Sequence, residues 1–204
     1  MRVFLARHGE TEWNVEHRLQ GRSDTRLTPR GEAHARALAG LLEDVPLAAV
    51  YSSTLRRALD TARPVAAAKA LACLARPELV EIGYGVLEGH TPRDPDPEIQ
   101  RLWAARKRDP LGFRVPGGES YQELRARLAP FVDEIGRRHP REPLLVVAHR
   151  ATNRVLLGLL LGKSLEEILS FKHKHDWVLE IRPGHVPECI RHQYAPSAEP
   201  GGNP

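Results

Sequence analysis

The sequence predicts an α/β fold, a three-layer sandwich whose central sheet is mostly parallel and carries helices on both faces. Two observations predict it. Strand-like segments alternate with helix-like ones along the 204 residues, the pattern of repeated strand–helix–strand units. The clearest strand, Leu144–Ala148 (LLVVA), is apolar at every position, as a strand covered on both faces must be. In such sheets ligands gather at the carboxyl ends of the strands. Two histidines, His8 and His149, stand at strand ends of this kind although 141 positions separate them.

Val3–Ala6 opens the chain as a short buried strand. Thr28-Pro29 starts a helix, because Thr is a good N-cap and Pro suits the first helical position. Ala33, Ala37, Leu38, Leu41 and Leu42 are read as its apolar face. Pro46 stops it, and Leu47–Ser52 is the second strand. Ser53–Lys69 is the second helix, with Ala58, Ala62, Val65 and Ala66 on one face and Pro64 expected to kink or split it. Leu71–Ala75 is the third strand. From Gly83 to Gly118 the chain is rich in proline and glycine, with a basic helical stretch at Glu98–Arg108. This is the candidate cap, at about residues 90–118. Ser120-Tyr-Gln-Glu123 is a capping box that starts a helix towards His139, with a bend expected near Pro130. After Leu144–Ala148 come an apolar helix at Thr152–Leu161, a second capping box at Ser164–Glu167, and a last strand at Trp177–Ile181. From Ala195 the Pro/Gly/Ser-rich tail is expected to be disordered. That leaves one domain over residues 1–194.

Composition narrows the function classes. Charged residues make up 27% and hydrophobic residues 41%, ordinary for a soluble domain. Net charge is +4, with both signs mixed along the chain, and aromatics are only 5%. A nucleic-acid binder needs clustered cations interleaved with exposed aromatics, so no nucleic-acid partner is expected. The longest apolar run, Val155–Leu161, is far too short to span a bilayer, and no membrane partner is expected. Arg7 and His8 interrupt any signal-peptide core at once. Cys73 and Cys189 make no disulfide framework and suit a reducing compartment. The expected location is the cytoplasm. The sequence does not set the oligomeric state, and a homodimer is compatible with it.

The chemistry concentrates at Arg7-His8-Gly9. A histidine just past a buried strand is held rigidly on one side. Gly9 lets the chain turn and leaves room for a ligand against the backbone. An imidazole attacks phosphorus only when one ring nitrogen is unprotonated. Arg7 beside it disfavours the imidazolium and attracts a phosphate. A lone histidine there reads more simply as a strand-end residue making one backbone bond, and further segments are needed to decide.

Those segments exist. Arg7-His8-Gly9-Glu10-Thr11, Trp13-Asn14, Arg18-Leu19-Gln20-Gly21 and Leu27-Thr28-Pro29-Arg30-Gly31 resemble the opening of the histidine phosphatase superfamily (phosphoglycerate-mutase-like). Ser52-Ser53-Thr54-Leu55-Arg56-Arg57-Ala58 with Thr61-Ala62 is similar to its second block. Leu79-Val80-Glu81 with Gly85 and Glu88-Gly89 resembles the third, and Val146-Val147-Ala148-His149 the fourth. The blocks come in family order over about residues 3–160.

The resemblance implies a phosphoglycerate-mutase-like fold and a set of roles. His8 would be the nucleophile, forming a phosphohistidine. Arg7, Arg57 and His149 would surround the three non-bridging oxygens, with His149 protonated in the complex. Family spacing to Ala58 selects Arg57 over Arg56. Glu81 would protonate the leaving oxygen and then activate water; repulsion from a bound dianion favours its acid form. Asn14, Gln20 and Gly21 would add neutral hydrogen bonds. Arginines and histidines supply the positive charge a metal would otherwise bring, so no metal or other cofactor is expected. His173-x-His175 with Asp176 has metal-like spacing but no third patterned ligand, and reads as a polar loop.

The mutase branch needs a large insertion over the substrate, whereas the stretch between Glu81 and Gly117-Gly118-Glu119-Ser120 is short. Gly-Gly-Glu-Ser also resembles the phosphatase branch. The implied function is hydrolysis of a small-molecule phosphomonoester, with a phosphoglycerate-type mutase as the alternative. A catalytically weak phosphoryl-binding or scaffold module would be favoured had any of the five central residues been replaced, and all five are present. The family often has glycine after the second histidine, where this chain has Arg150. Its cation is either a surface group paired with an acid or a receptor for a second anionic group on the substrate. Trp103, Arg106, Lys107 and Arg108 of the cap read either as a solvated basic face or as substrate contacts.

Overall fold

The protein is described from a computed structural model, over residues 1–182 and 188–194; the expected disordered tail from Ala195 lies outside the described residues. The strands are β1 (Arg2–Arg7), β2 (Ala49–Ser53), β3 (Cys73–Arg76), β4 (Pro143–Ala148), β5 (Trp177–Arg182) and β6 (Glu188–Gln193). The helices are α1 (Glu12–Val15), α2 (Pro29–Leu41), α3 (Arg56–Ala68), α4 (Pro97–Arg108), α5 (Tyr121–Arg138), α6 (Arg150–Leu161) and α7 (Leu165–Leu169).

One six-stranded sheet runs in the order β3-β2-β4-β1-β5-β6. Its first four strands are parallel, while β5 pairs antiparallel with β1 and β6 antiparallel with β5. The alternation of side chains along each strand feeds two cores. On one face Val3, Leu5, Tyr51, Leu144 and Val146 meet Leu124, Leu128 and Phe131 of α5 and Val155 of α6. On the other, Phe4, Ala6, Val50, Leu145 and Val147 meet Leu38 of α2 and Ala58, Ala62 and Val65 of α3. This is the expected three-layer sandwich.

Two expectations are corrected. The buried side of α2 is Gly31, His34, Ala35 and Leu38, continued by Leu42; Ala33 and Leu41 face outward. Alanine on all sides of this helix made its periodicity ambiguous. Pro64 does not split α3. Its ring sits on a partly exposed flank, where water can serve the carbonyl that loses its N–H partner. Helix α5 also runs without a break through Pro130. Two elements went unread: α1 is a single capped turn, and β6 is a polar edge strand without apolar alternation. Both capping boxes form as expected, at Ser120 and Ser164.

Candidate active site

The sheet solves the problem of the distant histidines directly. Parallel pairing sets Arg7 opposite Ala148, and the His8 N–H donates to the Ala148 carbonyl at 3.0 Å. The next residues on the two strands, His8 and His149, therefore stand side by side, their ring centroids 5.2 Å apart. Gly9 is needed for a reason other than a turn: an added Cβ would run into the backbone of Gly31, where α2 begins.

His8 Nδ1 lies 2.8 Å from the Gly9 carbonyl. A carbonyl only accepts, so Nδ1 carries the hydrogen. Burial, followed by the charges of Arg57 and His149, pushes the His8 imidazole well below its ordinary range. The ring is therefore neutral, with Nε2 unprotonated. His149 is fully buried and is likewise held well below the ordinary range by burial and by Arg57. Its Nε2 meets Ser53 Oγ at 2.8 Å, while Nδ1 is buried with no partner among the described residues. Ser53 Oγ accepts from the Leu55 N–H and keeps both a hydroxyl hydrogen and a second lone pair, so it can pair with either tautomer of His149.

Arg57, in the first turn of α3, has no exposed side-chain surface. It donates to the Ser23 carbonyl at 2.6 Å and the Gly21 carbonyl at 2.7 Å. Its Nε, like that of Arg7, is buried without a partner. Burial lowers the Arg57 guanidinium, and burial with repulsion from Arg150 lowers Arg7 to about 9. Two guanidiniums thus stand beside the paired imidazoles, with Asp24 3.8 Å from Arg57 and the Glu81 carboxylate opposing the burial cost of both.

Glu81 accepts from Ile82 N–H, Thr152 N–H and the Thr152 hydroxyl on one oxygen, and from Ala151 N–H on the other, at 3.0–3.3 Å. The start of α6 thus presents it to the cleft. Asn14 closes the capping box of α1: its Oδ1 accepts from the Thr11 N–H and hydroxyl, so its amide nitrogen is the donor left to offer. Gln20 Oε1 accepts from Thr25 in the same way. Gly21 has φ +54°, and an added Cβ would strike the Glu88 carboxylate; its carbonyl serves Arg57.

A cleft of about 660 Å³ gathers these groups. Arg7, His8, Asn14, Gln20, Gly21, Arg57, Glu81 and Arg150 line it; His149, fully buried beside His8, is not among the lining residues. Trp103 and Arg106 of α4 also line it, whereas Lys107 and Arg108 do not. Tyr84 is both buried and a wall residue. Sequence reasoning missed Ser53, Arg154 and His175. His175 was read as part of a polar loop, yet its Nδ1 donates to the His8 carbonyl at 2.6 Å. The antiparallel β1–β5 pairing brings it there, and nothing local announces that. Among the described residues no group of three or more His, Cys, Asp or Glu could hold a metal ion. No helix there is long and apolar enough to cross a membrane. Cys73 and Cys189 are unpaired.

Comparison with known proteins agrees with this geometry. The family model described as the histidine phosphatase superfamily (branch 1) matches residues 3–185. Phosphoserine phosphatase 1 of Hydrogenobacter thermophilus is 33% identical over 84% of this chain and 81% of its own length. The 6-phosphofructo-2-kinase/fructose-2,6-bisphosphatase 3 of Rattus norvegicus is 36% identical over 89% of this chain, which spans only 31% of that protein. The crystal structure of an α-ribazole phosphatase from Shigella flexneri superposes with a TM-score of 0.86 at 30% identity, covering 96% of both chains.

Proposed function

The chain belongs to the histidine phosphatase superfamily, branch 1, and from that premise we propose that it hydrolyses a small phosphorylated metabolite through a phosphohistidine on His8. The observation that carries this reading is the neutral His8 ring, its Nδ1 hydrogen committed to Gly9 and its Nε2 lone pair free at the cleft. The Nε2 lone pair attacks phosphorus. The bond from phosphorus to the ester oxygen breaks, and Glu81 gives that oxygen a proton. Water then attacks phosphorus, Glu81 takes its proton, the P–N bond breaks, and orthophosphate leaves with His8 restored.

Arg7, Arg57 and His149 receive the non-bridging oxygens, with His149 donating a proton in the complex. The amides of Asn14 and Gln20 and the N–H of Gly21 add neutral donors. These groups are fixed before the substrate arrives, so they stabilise charge on the equatorial oxygens with little reorganisation. The reading asks for no metal. Helix α4 acts as the cap of one domain over residues 1–194. Open access of water to the cleft favours hydrolysis over transfer. The relatives named above support a small substrate: their names specify phosphoserine, fructose 2,6-bisphosphate and α-ribazole phosphate. The unpaired cysteines suit a cytoplasmic enzyme.

The test is metal-free phosphate release over a panel of small phosphomonoesters. The intact protein is expected to turn over and to yield an acid-labile phosphoenzyme. His8→Ala should do neither. Arg57→Ala should raise the barrier by about 3–4 kcal/mol, as loss of a fixed oxyanion donor does. Turnover by His8→Ala equal to that of the intact protein ends the nucleophile assignment.

A further inference from the structure

The terminal phosphoryl group occupies only the His8 end of the cleft, and the far wall is chemically distinctive. Three guanidiniums line it: Arg106 from α4, and Arg150 and Arg154, one turn apart on α6. None has a carboxylate within ion-pair distance among the described residues. Nearby arginines are paired: Arg22 and Arg127 with Glu119, Arg101 with Glu98, and Arg114 with Glu123. Among the described residues Arg154 donates to the Phe171 carbonyl alone, at 2.6 Å. The Arg106 guanidinium lies over the Tyr84 ring at 4.8 Å and the Trp103 ring at 5.8 Å, with a long 3.4 Å contact to the Tyr84 hydroxyl. Stacked in this way it is oriented but not neutralised.

The uncompensated charge is also felt at a distance, because Arg150 and Arg154 both oppose the charge on Arg7.

We propose that Arg106, Arg150 and Arg154 form a second anion subsite that receives a carboxylate or a further phosphate on the leaving group. The substrates are therefore doubly anionic, a phosphoryl end over His8 and an anionic end between α4 and the first turns of α6. Guanidiniums suit this task because they donate paired bonds to planar or tetrahedral oxyanions. A cleft of about 660 Å³ lies within the usual size range for small-ligand sites. This inference rests on the phosphatase reading above.

The test compares kcat/KM on three esters: glycerol 2-phosphate, whose leaving alcohol is uncharged; 3-phosphoglycerate, which carries a carboxylate; and a hexose bisphosphate, which carries a second phosphate. The intact enzyme is expected to prefer at least one charged probe, and which one identifies the anion. Arg106→Gln, Arg150→Gln and Arg154→Gln should each lower the charged-to-neutral ratio by about tenfold, the loss expected for one charge-assisted hydrogen bond. Arg101→Gln, on the same helix but turned to its own Glu98, removes a charge outside the cleft and should leave the ratio unmoved. A ratio that none of the three cleft variants changes overturns the subsite and leaves the phosphatase reading standing. If the intact protein and His8→Ala both fail on all three esters, both readings fall.

Discussion

The His149 imidazole is anchored by one hydroxyl. Ser53 Oγ accepts from the Leu55 N–H and lies 2.8 Å from His149 Nε2. Ser53→Ala removes that anchor at the end of a fully buried strand. We expect kcat/KM to fall about tenfold, equivalent to one hydrogen bond, and the ¹⁵N shifts of His149 to change. Unchanged turnover with unchanged shifts would mean that the hydroxyl does not hold the ring. At this scale the sequence was legible where chemistry coincides with a strand end, as at Arg7, His8 and His149. It was silent where a residue acts through a neighbour that only tertiary structure supplies. Ser53 looked like one member of a block, and His175 and Arg154 carry no local signal.

A single carboxylate ties two irregular segments into one device. Glu88 follows the 3₁₀ turn Gly85–Leu87. One of its oxygens accepts from the Arg22 and Tyr84 N–H groups at 2.9 and 3.0 Å, and the other from the Ser23 N–H and hydroxyl at 2.9 and 2.7 Å. The segment so held presents the Gly21 and Ser23 carbonyls that fix Arg57. Glu88→Gln keeps the shape but sets an amide NH₂ against backbone donors. It should destabilise the fold by about 1 kcal/mol, the usual net worth of a hydrogen bond at a half-exposed site, and lower kcat as Arg57 loses its seat. Thermal melts and single-substrate kinetics read both effects; a variant matching the parent in each would show that the 20–23 segment holds itself. Elements were legible where local signals agree, as in the capping boxes at Ser120 and Ser164 and the apolar β4. They were not where tertiary pairing overrides composition, as in the polar β6, or where alanine blurs the period, as in α2.

The molecule as a whole carries its site as stored electrostatic imbalance, and that should appear as a pH dependence of stability. His8 and His149 are held well below the ordinary imidazole range, and His173 is lowered to about 3, in each case chiefly by burial. These rings stay neutral in the fold, while in the unfolded chain they take up protons below about 6.5. The unfolded state then binds more protons, so this contribution is fully present above pH 6.5 and is lost as pH falls. A second, lower window belongs to Glu180. Burial raises its carboxyl, but hydrogen bonds from Arg182, Arg2 and His192 outweigh that and hold it at about 2, against 4.5 unfolded. Its contribution is present above about pH 4.5 and disappears towards pH 2. Melting temperature should therefore decline in two steps, the first beginning near pH 6.5, and Glu180→Gln should remove much of the second without touching the first. Saturating inorganic phosphate should stabilise the fold by mass action, by about 2.7 kcal/mol at a hundred times its Kd, and so raise the melting temperature; Arg57→Ala should abolish that gain. A melting temperature flat from pH 8 to 5 would mean the buried rings accept protons within the fold. The neutral nucleophile, and the chemistry built on it, would then have to be abandoned.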